Sequence, residues 1–319
     1  MRSTSHLARY CHELGTVRDA AANTIRAYSH ALSAFGTWLT PRGRALASAT
    51  RDDVIAYREH LSDKAPQTVA QFLKAARSFY AFALDATLVT ASPVPAAMRV
   101  ALKRQTPTTV PTAAQFLGMR ARAAARTEWR PREFRGGAVL LEALAGTGLR
   151  VGALLTARVQ NLVLHDKPYV MVDAASMACK GIRANRVPIT PHAAALLAAW
   201  VAGKPPDALL FDLSERSVRD VVTRAAPPDL PGVCPHSLRH FYVSMMYRRN
   251  LDGGTFDVVW ARDAAGHSSI AVTDGYLSMA RTVCASDAEW EAWAYGQSGT
   301  KSEVGAAQVL GGAVGIAAA

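Results

Sequence analysis

The sequence predicts a mainly α-helical protein with a small β-sheet, an α+β chain of two domains. Three observations lead there. Residues 16–102 repeat apolar side chains three and four positions apart, the helical period. The stretch "KRQTPTTVPT", residues 103–112, then breaks the pattern with proline, threonine and little apolar content, as a linker does. Further on, "KPYVMVDAASMACKGIRANRVPIT" changes period to short β-rich runs around a turn at Gly181 to Asn185. The division expected is a helical domain over residues 1–104, a linker over 105–111, a second domain over 112–296 and a tail over 297–319.

The elements follow in chain order. "NTIRAYSHALSAFGTWL" sets Ile25, Tyr28, Leu32, Phe35 and Leu39 on one stripe, with Asn23 as the expected N-cap. "TRDDVIAYREHL" opens on a capping Thr50 with acidic residues in the first turn, where they suit the positive helix end. "PQTVAQFLKAARSFYAFAL" is a third helix, which "ASPVP" stops. In the second domain, "FRGGAVLLEALAGTGLRVGALLTARV" predicts two helices broken at Gly146 and Gly148. After the strands, "TPHAAALLAAWVAG" returns to helix with Thr190 as cap and Pro191 at the first position. "PHSLRHFYVSMMYRRN" is another helix entered through proline, and "SDAEWEAWAYG" is a short one carrying Trp290 and Trp293.

Composition narrows the function classes. Half of the 319 residues are hydrophobic and 19% are charged, which fits a folded chain rather than a disordered one. The net charge of +11 favours a polyanionic partner, because each phosphate neutralised releases counterions. Residues 1–104 hold 14 Lys and Arg against 7 Asp and Glu, so the helical domain reads as a module that holds DNA or, more plainly, as a solvated bundle. No apolar run reaches a bilayer span, and "MRSTSHLARYCHELG" has no signal-peptide core. Cys11, Cys179, Cys234 and Cys284 are scattered, as expected of reduced thiols in the cytoplasm. Cys234, His236 and His240 lack the second ligand pair that zinc sites bring, so no metal is expected. There is neither a phosphate-binding GK[ST] loop nor an H-E-x-x-H motif.

Four separated pieces carry chemistry. Arg150 follows a glycine turn in "GTGLRVGALL", and Lys180 sits beside a tight turn in "CKGIRANRVPI". His236 and Arg239 stand three apart at a helix start, where unpaired N–H groups and the positive helix pole suit a phosphate. His267 precedes Tyr276 by nine positions in "GHSSIAVTDGY". Taken singly, each has an ordinary use: a solvated arginine, an exposed hairpin lysine, a capping histidine, a helix-face tyrosine.

In this order and spacing the four pieces resemble the tyrosine recombinase (phage integrase) family, strongly over about residues 112–280 and more loosely over the N-terminal helices. The resemblance implies a core-binding domain and a catalytic domain that clamp DNA. It assigns Arg150, Lys180, His236, Arg239 and His267 to the phosphate and Tyr276 to the nucleophile. The implied reaction cuts and rejoins DNA through a 3′-phosphotyrosyl bond and a Holliday junction, with no cofactor, metal or ATP. The residue types suit that chemistry. Two guanidiniums offer forked donors that match the charge building on the phosphate oxygens. A tyrosine of pKa about 10 needs such a cationic site and a proton acceptor, and His236 is the expected assistant, as acid or base. Lys180 is the acid for the departing 5′-hydroxyl, and His267 donates to the phosphate. The family's two supporting acids are replaced, by Ala153 and Asn161.

The partners implied are duplex recombination sites, a tetramer of the chain on two duplexes, and possible DNA-bending proteins; no membrane is expected. The early start of the core-binding helices leads us to expect no additional arm-binding domain. The C-terminal helix is expected to dock on a neighbouring protomer or, alternatively, on its own domain. Relaxation of DNA as a type IB topoisomerase, and DNA binding without catalysis, are the other functions considered.

Overall fold

The computed structural model describes residues 2–101, 109–126, 128–129, 134–173, 177, 186–248, 280 and 282–296. The chain divides into two units, Met1–Thr106 and Pro107–Ala319, each with its own core. The first is helical and the second adds one small sheet to its helices, the expected fold class.

In the first unit, helices α1 (Arg2–Thr16), α2 (Ala22–Leu39), α3 (Arg51–His60) and α4 (Pro66–Asp85) bury an aromatic core. The α2 stripe is partly as expected: Leu32, Phe35 and Leu39 are buried, while Ile25 and Tyr28 pack at its edge. Phe35 meets Tyr57 at 4.8 Å and Phe72 at 5.3 Å between ring centroids, in the tilted geometries that aromatic quadrupoles favour. Thr50 caps α3 as expected, with its Oγ1 accepting the Asp53 N–H and the Asp53 carboxylate accepting the Thr50 N–H at 2.8 Å. Asn23 is not the N-cap of α2. The cap is Ala21, without a side-chain bond, and Asn23, the second residue of the helix, accepts from the Arg26 side chain at 3.0 Å. Helix α1 was not anticipated, although Leu7, Tyr10, Cys11 and Leu14 carry the helical spacing, and Tyr10 and Leu14 are buried.

In the second unit, α5 (Ala113–Ala125), α6 (Gly137–Thr147) and α7 (Val151–Thr156) precede a three-stranded antiparallel sheet. Its strands, β1 (Leu162–Val163), β2 (Tyr169–Met171) and β3 (Arg186–Pro188), lie in the order β1-β2-β3. Met171 pairs with Arg186 and Tyr169 with Pro188, so the residues between β2 and β3, Lys180 among them, join two adjacent strands. The turn expected at Gly181 to Asn185 lies outside the described residues. Three helices follow: α8 (Pro191–Val201), α9 (Glu215–Ala225) and α10 (Pro235–Arg248). Thr190 caps α8 with Pro191 at its first position, as expected. The break between α6 and α7 falls at Gly148 alone. Gly146 stays inside α6, where a Cβ would stand 2.5 Å from that of Ala193 and 2.6 Å from the Thr190 hydroxyl oxygen. The small residue is there to let two helices touch.

The helix Asp287–Tyr295 (α11) packs on its own unit, against α5 and α8. Trp290 and Trp293 are buried, and the Trp290 indole N–H donates to the Met245 carbonyl of α10 at 3.0 Å. A buried pair draws the same helix inward. Arg120 of α5 holds the Glu142 carboxylate of α6 at 2.6 and 3.2 Å and donates to the Ala292 and Trp293 carbonyls at 2.7 and 2.9 Å. The orphan carbonyls of a helix C-terminus thereby gain a cationic donor. Residues 297–319, expected as a tail, lie outside the described residues, and no described helix is long and apolar enough to cross a membrane.

Candidate active site

The turn between α6 and α7 sets the first arginine. Gly148 ends α6 with φ +61°, and its N–H donates to Leu144 at 3.0 Å, a left-handed cap that suits glycine. A Cβ on Gly148 would come within 2.3 Å of the Tyr242 ring, so the close approach also requires glycine. Arg150 then occupies the N-cap position of α7 in extended backbone, and its carbonyl accepts the Leu154 N–H at 3.0 Å.

Helix α10 supplies the opposite wall. Arg239, only 3% exposed, donates from its Nη1 to the Gly148 carbonyl, joining residues 91 positions apart. A guanidinium has five donors in a fixed fork, so one can anchor the turn while others face a phosphate. His236, one turn earlier on α10, is exposed at its edge. Partial burial of its ring, then the Arg239 guanidinium and then that of Arg150, lower its pKa from the usual 6.5. Three of the six residues singled out in the sequence, Arg150, His236 and Arg239, are thus close enough to act on one another. The shift favours the neutral imidazole, the form that can accept a proton. Its ring meets the His240 ring edge to face, with centroids 4.3 Å apart. Lys180, His267 and Tyr276 lie outside the described residues.

The two substituted positions have structural explanations. Ala153 is fully buried in the apolar core. Asn161 is 6% exposed and uses both ends of its amide: Oδ1 accepts the Arg158 N–H at 2.8 Å, and Nδ2 donates to the Met171 carbonyl at 3.2 Å. A carboxylate there could accept from Arg158 but would turn a second acceptor on Met171. The amide thus ties the turn after α7 to β2, a role invisible in the linear spacing. Among the described residues no group of three or more His, Cys, Asp or Glu could hold a metal ion.

Sequence comparison adds to this geometry. The phage integrase N-terminal SAM-like domain matches residues 7–87, and the phage integrase family matches residues 119–282. Tyrosine recombinase XerC of Erythrobacter litoralis (strain HTCC2594) is 29% identical over 290 residues, covering 87% of this chain and 89% of that protein. Tyrosine recombinase XerD of Lacticaseibacillus casei is 23% identical over 300 residues, covering 86% and 93%. Among solved structures, a lambda integrase dimer bound to a COC′ core site shares the fold with a TM-score of 0.60 at 18% identity, covering 86% of this chain and 94% of that one. All six residues singled out above fall inside the segment 119–282, which spans just over half of the sequence. The chain belongs to the phage integrase family.

Proposed function

We propose that the protein is a site-specific DNA recombinase that breaks and rejoins strands through a covalent 3′-phosphotyrosyl intermediate. The observation that carries the reading is the bond from the Arg239 guanidinium to the Gly148 carbonyl, which joins the helix of His236 to the turn that carries Arg150. The Tyr276 oxygen attacks phosphorus while the bond to the 5′-oxygen breaks, and that oxygen leaves with a proton from Lys180. His236 takes the tyrosyl proton, and Arg150, Arg239 and His267 stabilise the charge on the non-bridging oxygens. Attack by the 5′-hydroxyl of a partner strand reverses these steps, so the energy of the broken bond is retained without ATP. Exchange of two strands gives a Holliday junction within a tetramer on two duplexes. The net charge of +11 and the relatives' family support DNA as the partner, and DNA-bending proteins would act as accessories. Nicked suicide substrates, which lose the 5′-hydroxyl needed for religation, test the reading. They should trap a protein–DNA complex that denaturant does not dissociate, and its absence would favour DNA binding without catalysis. Joining of two separate sites distinguishes recombination from relaxation by a topoisomerase.

The electrostatics give a pH prediction. Partial burial and then the cations beside His236 disfavour its protonated form, so in the DNA-free protein it should titrate below 6.5, and Arg239→Met should move the midpoint upward. By the same sign the unfolded chain binds this proton first. The contribution of His236 to folding is full above about 6.5 and is lost as pH falls towards the folded value. NMR titration of the imidazole checks this, and a midpoint above 6.5 in the free protein would contradict it.

A further inference from the structure

We propose that Tyr242 is a positioning residue of this site, holding both the Arg150 turn and strand β3 in fixed relation to the helix that carries His236 and Arg239. The inference rests on the recombinase reading above and extends it to a residue that the motifs do not include. Tyr242 lies on α10, one turn beyond Arg239, and is 4% exposed. Its ring closes on the backbone of Gly148, at the space a Cβ would need. The Gly148 carbonyl is the same one that accepts from Arg239, and Arg150 follows two residues later. Its hydroxyl donates to the Pro188 carbonyl at 2.9 Å, at the end of β3. Two residues on, the Thr190 N–H donates to the Gly146 carbonyl at 2.9 Å. Helix α10, the turn after α6 and the end of β3 therefore form one closed circuit through Tyr242.

Packing alone does not account for the hydroxyl. A phenylalanine would fill the same space, whereas a buried O–H without an acceptor is costly. Burial raises the phenol pKa well above its usual 10, despite the opposing charge of Arg239, so the group stays protonated and donates at any working pH. The same burial keeps this tyrosine from being a nucleophile. Strand β3 follows the connection from β2 that contains Lys180, and the tether at Pro188 holds the far end of that strand. Loosening it is expected to slow departure of the 5′-oxygen more than binding of DNA.

The test compares the full-length wild type with Tyr242→Phe and Lys180→Ala in single-turnover cleavage of nicked suicide DNA at saturating protein. Each is assayed with an ordinary scissile phosphate and with one whose bridging 5′-oxygen is sulfur. A thiolate leaves without an acid, since thiols have pKa values near 8.5. Tyr242→Phe should cleave the oxygen substrate about tenfold more slowly, the effect of one lost hydrogen bond, with DNA affinity within about twofold of wild type. On the sulfur substrate it should return to the wild-type rate, as should Lys180→Ala. Wild-type cleavage of the oxygen substrate by Tyr242→Phe would overturn the inference. A defect that persists with sulfur while that of Lys180→Ala disappears would overturn the β3 part of the inference and leave the Arg150 turn as the route. If Lys180→Ala does not recover with sulfur, the acid assignment of Lys180 fails instead. A slow Tyr242→Phe with unchanged affinity would then still support positioning, through the Arg150 turn.

Discussion

Replacing Arg239 with alanine is expected to slow DNA cleavage by about 30- to 1,000-fold at saturating DNA, a loss of roughly 2–4 kcal/mol of transition-state stabilisation. The guanidinium is nearly enclosed and is fixed by its bond to the Gly148 carbonyl, so it needs little reorganisation when charge builds on the phosphate. The same bond ties Arg150 to the outcome, because the turn that aims Arg150 rests on Arg239. Arg239→Lys retains the charge and loses the fork, so it should restore only part of the rate. Single-turnover cleavage with separately measured DNA affinity checks both variants. Loss of affinity with an unchanged rate at saturating DNA would instead mark Arg239 as a binding residue.

Arg120→Ala is expected to have the largest effect on stability. It leaves the Glu142 carboxylate, whose side chain is 3% exposed, without its cation, and it removes both donors from the end of α11. Breaking a buried pair in this way costs about 3–5 kcal/mol. For a unit of this size that lowers the melting temperature by roughly 6–20 °C. Thermal unfolding measures it, and Glu142→Leu in the same chain should recover part of the loss by removing the stranded charge. A melting temperature within a degree or two of wild type would show that the pair contributes little and that Trp290 and Trp293 alone hold α11.

Much of this architecture was legible in the sequence because local chemistry determined it. Thr50 and Thr190 cap their helices as side chains preceding acidic and proline first turns should. The change of period marked β2 and β3, and the order of Arg150, His236 and Arg239 was readable before their proximity was known. The miss at Asn23 is a local boundary shift, whereas those at Gly146, Asn161 and Tyr242 concern partners distant in the chain. Asn23 looked like a cap, yet α2 starts one residue before it, with Ala21 as its cap. Gly146 looked like a helix breaker, and only the approach of α8 explains it. Asn161 read as a lost acid, and only the Met171 carbonyl gives its amide a purpose. Tyr242 carried no signal at all, since helical spacing cannot tell a core aromatic from one whose hydroxyl reaches a strand 54 residues away.

The central claim is that one tyrosine, Tyr276, carries the broken strand. Peptide mapping of the denaturant-resistant adduct formed on a nicked suicide substrate, without metal or ATP, tests it most directly. The expected adduct is a 3′-phosphate linked to the peptide containing Tyr276, with none formed by Tyr276→Phe. An adduct that persists in that variant, or that maps to another residue, would contradict it.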